Sequence, residues 1–263
     1  MIRVCAAEVR KLMTRPAVLF GLGLLVVAIV VLEYLLPAVR YSDHAAQELY
    51  PDRFTNQLLN VFFIGGILVA LLMGTLVVGS EYGWGTLRTV YAMGVGRLQL
   101  LVGQLLAAVL VLTAMLVLSA AAAAASSLVI ATVDGSSVAW PAAGAVMKAM
   151  GAVWLILACY VAGGIALGHL LRSAPLAIGV GLSYVLFFEL TFVNYFARFF
   201  GAAGGLQKVV PGTSASSLIA WVIVPQPRVA PPLDAGHTIV VLALWTVLGV
   251  AVSAALVWRR DVV

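Results

Sequence analysis

Apolar residues fall along this chain in long continuous runs, without the alternation of a half-buried strand or the single stripe of a surface helix. A helix that crosses the hydrocarbon core of a bilayer needs about 20 mostly apolar residues. Six runs meet that length, at 17–36, 58–79, 98–130, 143–171, 175–200 and 237–258. They predict an all-α membrane protein with six transmembrane helices in one domain. A membrane β-barrel does not fit, because its strands are about ten residues long and alternate in polarity.

The segments between and before the runs add three smaller elements. Over residues 1–15, Ile2, Val9, Leu12 and Met13 interleave with Arg3, Arg10 and Lys11. That pattern predicts a short amphipathic helix lying in the headgroup plane; an ordinary basic flank that only sets topology fits the same residues. Pro16 then bends the chain into the first run. This run is longer than the apolar part of a signal peptide, and no small-residue cleavage site follows it, so it is read as a retained anchor. The loop 201–236 contains "SSLIAWVIV" between Pro211 and Pro225. That stretch is too short to cross a bilayer. It predicts a re-entrant or interfacial element on the outer face, with Thr213 or Ser214 as a helix cap; a simple surface loop is the plainer alternative.

Composition agrees with the pattern. The 263 residues are 63% hydrophobic and 10% charged, against about 25% charged in a soluble domain. The net charge of +5 suits a membrane surface, and no clustered basic face points to nucleic acid. Cys5 and Cys159 form neither a disulfide framework nor a thiol metal site. With the N-terminus placed inside, nine of the lysines and arginines fall on the inner side and six outside. Arg15, Arg97, Arg172, Arg259 and Arg260 abut span ends there. That bias orients the bundle with both termini cytoplasmic. The scarcity of lysine beside abundant Ala, Val, Leu and Gly suggests a GC-rich bacterium, and hence a plasma membrane.

Several chemistries can be set aside. No Gly-x4-Gly-Lys-[Ser/Thr] phosphate loop is present. His44, His169 and His237 lack metal-ligand spacing. A membrane hydrolase would pair Ser183 with His169 or His237, which fall at opposite sides of the bilayer. Glu189 is the sharper feature, since an acid in mid-span costs about 2.5–3.5 kcal/mol on insertion scales. It fits a pathway lining or proton relay, which makes an ion-coupled secondary transporter the alternative function. It fits equally a hydrogen-bonded acid that holds helices together. Such transporters often carry repeated halves with broken helices, and no internal repeat is visible.

The segment Gly79–Arg97, "GSEYGWGTLRTVYAMGVGR", stands apart from the runs around it. Thr86 is a candidate cap for a short helix. Trp84, Leu87, Arg88 and Tyr91 then share one helical face, and Trp, Tyr and Arg are the usual anchors of a protein interface.

Glu81-Tyr82, then Gly85-Thr86-Leu87-Arg88, then Arg97 before an apolar run, resembles the acid-aromatic-x-x-Gly-[Ser/Thr]-apolar-Arg signature of ABC-2 type permeases. These are the membrane subunits of ABC exporters with the type V fold. The layout is similar too: a basic amphipathic N-terminus, six spans, and an outer loop with "PGTSASSL". The resemblance implies that 81–92 is a cytoplasmic coupling helix. It would contact a separate ABC ATPase subunit through Glu81, Tyr82, Trp84, Gly85, Thr86, Leu87, Arg88 and Tyr91. It implies ATP and Mg held by that partner and no cofactor in this chain, which is not an enzyme. Only five residues follow Trp258, so a fused ATPase domain is not expected. A second permease chain, identical or related, completes the pathway. That pathway would be lined from the second and fifth spans by Asn56, Asn60, Phe62, Phe63, Glu189, Thr191 and Asn194. One departure stands out: Gly103-Gln104 occupies a place where relatives often carry Gly-Lys.

Overall fold

The computed structural model describes residues 2–40, 47–83, 85–136, 138–193, 204–223 and 233–259. Six helices in it are long and apolar enough to cross a membrane: Pro16–Val39, Pro51–Gly83, Arg97–Val133, Ala143–Leu171, Ala174–Thr191 and Ala235–Arg259. They are numbered here as the first to sixth spans. An N-terminal helix, Ile2–Met13, precedes them. A connecting helix, Thr86–Ala92, joins the second span to the third. A short helix, Pro211–Val222, lies between the fifth and sixth.

The end of the fifth run, 194–200, lies outside the described residues; elsewhere the spans lie close to the apolar runs, and the largest difference is at the second. It begins at Pro51, ahead of the predicted 58, because Asn56 and Gln57 lower the hydropathy there without breaking the helix. Asn56 is in fact buried. Span ends alternate between two ends of the bundle. The basal end gathers the N-terminal helix, the connecting helix, Arg172 and Arg259. At the distal end the rings of Phe54 and Trp140 meet edge to face, with centroids 5.8 Å apart.

Glycine brings the second and fourth spans together backbone to backbone. A Cβ on Gly164 would sit 2.9 Å from the Thr75 amide nitrogen, and one on Gly168 would sit 3.2 Å from that of Gly79. Gly74 packs in turn against the Val161 carbonyl. This is the small-xxx-small contact that drives helix association in lipid. The sixth span joins the pair at Gly249, where a Cβ would lie 2.9 Å from the Ala162 carbonyl oxygen. The start of the fifth span closes on Gly79 through Ala174. The second and fourth spans therefore form the centre. The first span has a largely exposed outer surface, including Leu19, Phe20, Leu24 and Leu32.

The N-terminal helix is held against the third span. Its Val4, Glu8 and Leu12 recur every four residues and so share one face. Leu12 and Glu8 are buried, and Val4 fills the notch left by Gly103, 2.7 Å from where a Cβ would be.

Candidate functional site

Glu81 lies in the last turn of the second span and is 2% exposed. Three elements converge on its carboxylate. Lys11 of the N-terminal helix pairs with Oε1 and also with Glu8. Gln104 of the third span donates from Nε2 to Oε2 at 2.7 Å. Arg15, buried at the head of the first span, donates to the Leu76 carbonyl one turn below and adds its charge nearby. Burial lowers the Arg15 guanidinium from its ordinary value, while the Glu81 and Glu8 carboxylates oppose that shift. The departure at Gly103-Gln104 thus has a structural answer. Gln104 supplies a neutral donor to Glu81, and the positive charge comes from Lys11, 70 residues earlier in sequence.

Tyr82 faces the other way. Its hydroxyl lies 3.4 Å from His169 Nδ1 near the end of the fourth span, and the two rings meet edge to face. The Arg172 guanidinium sits 5.8 Å over the Tyr82 ring, a cation–π distance. Arg172 reaches this place with φ of 51°, in the left-handed region, at the tight turn into the fifth span. Two adjacent residues therefore tie the end of the second span to the N-terminal helix and third span on one side, and to the fourth span and its turn on the other.

The connecting helix starts from Gly85, whose φ of 66° puts it in the left-handed region. Thr86 is not the cap. It is the first helical residue, and its hydroxyl donates back to the Glu81 carbonyl at 3.4 Å. Leu87 is buried and Tyr91 half-buried, while Thr86, Thr89, Ala92 and Met93 are exposed. Burial, then the neighbouring Tyr82 and Glu81, push the Tyr91 hydroxyl above its ordinary value. The exposed face thus runs through Thr86, Thr89 and Met93, whereas the face expected from sequence carries Leu87 inward. Trp84, Asn194 and the Arg88 side chain lie outside the described residues.

Glu189 is 3% exposed and is held from two elements. The Tyr160 hydroxyl of the fourth span donates to Oε2 at 2.6 Å, and the Gly212 amide of the short helix donates to Oε1 at 3.3 Å. The acid thus sits at the first turn of that helix, where its charge is favoured. Pro211 opens the helix, and neither Thr213 nor Ser214 caps it; the Thr213 hydroxyl donates to the Val210 carbonyl at 2.9 Å. Gly212 permits this close approach, since a Cβ there would lie 2.9 Å from Glu189 Oε2 and 3.1 Å from its Cβ. Sequence reasoning missed Tyr160, Gly212 and Lys11.

Of the other expected pathway residues, Asn56 and Phe62 are buried, Phe63 is half-buried, and Asn60 and Thr191 are exposed. The Thr191 hydroxyl donates to the Leu186 carbonyl at 2.9 Å, within a wide π-helical stretch, Tyr184–Val193. The hydrolase geometry is not assembled. Ser183 makes no side-chain hydrogen bond among the described residues, His169 is engaged with Tyr82, and His237 lies 2.8 Å from the Lys208 carbonyl. Among the described residues no group of three His, Cys, Asp or Glu side chains is placed to hold a metal ion.

A bundle with six helices of this length and hydropathy is that of a multi-pass membrane protein. The family described as ABC-2 family transporter protein matches residues 8–262, nearly the whole chain, and the chain belongs to that family. No curated protein matches it.

Proposed function

We propose that this chain is the permease of an ATP-driven exporter in a bacterial plasma membrane, with both termini cytoplasmic. A separate ABC ATPase binds ATP and Mg and drives it, and a second permease chain, identical or related, completes the pathway. Family membership supports the permease role, and one observation carries the coupling reading: Glu81 and Tyr82 knot the segment 81–92 into five elements of the bundle. A push on the connecting helix would reach the first and third spans through Glu81, and the fourth and fifth through Tyr82. Its exposed residues Thr86, Thr89 and Met93 offer the partner a surface. The N-terminal helix, pinned by Lys11, would move with them in the interfacial plane. In the same reading the short helix is the re-entrant element of the outer face. Exposed Asn60 and Ile64 on the second span, and Phe187 and Thr191 on the fifth, would turn toward the second chain.

The test is co-purification with the candidate ATPase, followed by vanadate-sensitive ATP hydrolysis and transport in vesicles. Thr89→Glu with Met93→Asp is expected to abolish complex formation while leaving the permease folded. Arg88→Glu with Trp84→Ala is expected to do the same. Intact coupled transport in both variants would remove the coupling role from this segment. Transport by the isolated chain under a proton gradient would instead favour the ion-coupled alternative, which the buried, fully engaged Glu189 does not support.

A further inference from the structure

A crevice of about 310 Å³ opens between the second, fourth, fifth and sixth spans, beside the short helix. Its floor is buried, with Leu71 and Tyr160 each 4% exposed. Its rim faces sideways out of the bundle, where Leu170, Val180 and Leu248 are 47%, 43% and 49% exposed. The mouth therefore opens into the membrane and not to either end. The phenol groups of Tyr160 and Tyr184 are engaged with Glu189, and the Trp245 indole donates to the Val209 carbonyl at 2.8 Å. A polar ligand would find no partner at the floor and would lose its hydration. A hydrocarbon chain loses nothing there.

Length and charge narrow the occupant. Along the fourth span the crevice runs from Cys159 to Leu170, a rise of about 16 Å at about 1.5 Å per residue. One leaflet of a hydrocarbon core about 30 Å thick has a depth of about 15 Å. The crevice thus spans the leaflet at the basal end, where its last lining residue on the fourth span, Leu170, is followed two positions later in sequence by the exposed Arg172 at the turn, whose guanidinium lies over the Tyr82 ring. Midway, a Cβ on Gly163 would meet nothing within 4 Å, so the wall is open where a chain would pass.

We propose that this crevice is a resident-lipid site. It takes one acyl chain of a phospholipid from the basal leaflet, with an anionic headgroup set against Arg172. This assignment is independent of the transported substrate and of the ATPase partner.

The full chain, extracted in mild detergent from vesicles of equimolar dioleoyl phosphatidylglycerol and dioleoyl phosphatidylcholine, would be examined by native mass spectrometry. One phospholipid retained per chain is expected, with phosphatidylglycerol favoured. Gly163→Phe, and separately Ala166→Phe, fill the slot from a helix face that does not touch the Gly74–Gly164 contact. Each should lower retention at least about tenfold, more than 1.4 kcal/mol of binding, with the thermal unfolding midpoint unchanged. Arg172→Gln should keep the lipid but reduce the headgroup preference about fivefold, the equivalent of about 1 kcal/mol for one arginine near an anionic surface. A parent chain carrying no phospholipid, whether empty or covered by a second copy, overturns the proposal. So does undiminished retention in both phenylalanine variants, or a headgroup ratio that Arg172→Gln leaves unchanged.

Discussion

At the scale of single residues, the decisive feature is a carboxylate that a sequence reader places on a docking surface and the fold buries. Glu81 is held by Lys11 and Gln104. Lys11→Gln is expected to destabilise the protein by about 3 kcal/mol, the low end for breaking a buried pair, since 28% of the Lys11 side chain remains exposed. The double variant Lys11→Gln with Glu81→Gln should lose less than the sum of the singles, because it removes both partners of that pair and leaves only Glu8 without its lysine. Thermal unfolding in detergent measures both. At the other acid, Tyr160→Phe removes the 2.6 Å donor from Glu189 and should cost about 1–3 kcal/mol, as for any buried acceptor deprived of a partner. Neither cluster could be assembled from sequence. Lys11 and Glu81 are 70 residues apart and Tyr160 and Glu189 are 29 apart, and a lone acid in an apolar run does not name its partners.

At the scale of elements, hydropathy carries most of the fold, because every span must satisfy its backbone internally and face lipid or other helices. The errors fall where a local rule is outranked. Residue type alone points to caps at Thr86 and at Thr213 or Ser214. The chain instead uses a left-handed Gly85 at one helix and a proline start with a distant carboxylate at the other. Adjacent glycines in the fourth span separate packing from accident. Gly164→Ala places a Cβ against the second span's backbone, where no flexible side chain can yield. A loss of about 1–3 kcal/mol or more is expected from such overpacking. Gly163→Ala meets open space and should be neutral or stabilising by up to about 1 kcal/mol through helix propensity. The comparison of the two unfolding midpoints is the check, and equal losses would deny the backbone contact. Sequence shows both glycines but cannot tell which one faces a neighbour.

At the scale of the whole molecule, topology makes the simplest prediction. In a chain with Cys5 and Cys159 replaced by alanine, Thr89→Cys should react with an impermeant thiol reagent only in inside-out vesicles, and Val138→Cys only in right-side-out ones. The reverse pattern would invert the bundle and remove the connecting helix from any cytosolic ATPase. The glycine seam between the second and fourth spans also bears on how such a bundle can work. With methylene-sized gaps absent along Gly74, Gly164 and Gly168, these two helices cannot slide or hinge against each other without prising main chain from main chain. They act as a keel: strokes delivered at the basal knot must tilt the pair as one body, and any opening has to appear where looser helices meet, not down the protomer's own middle.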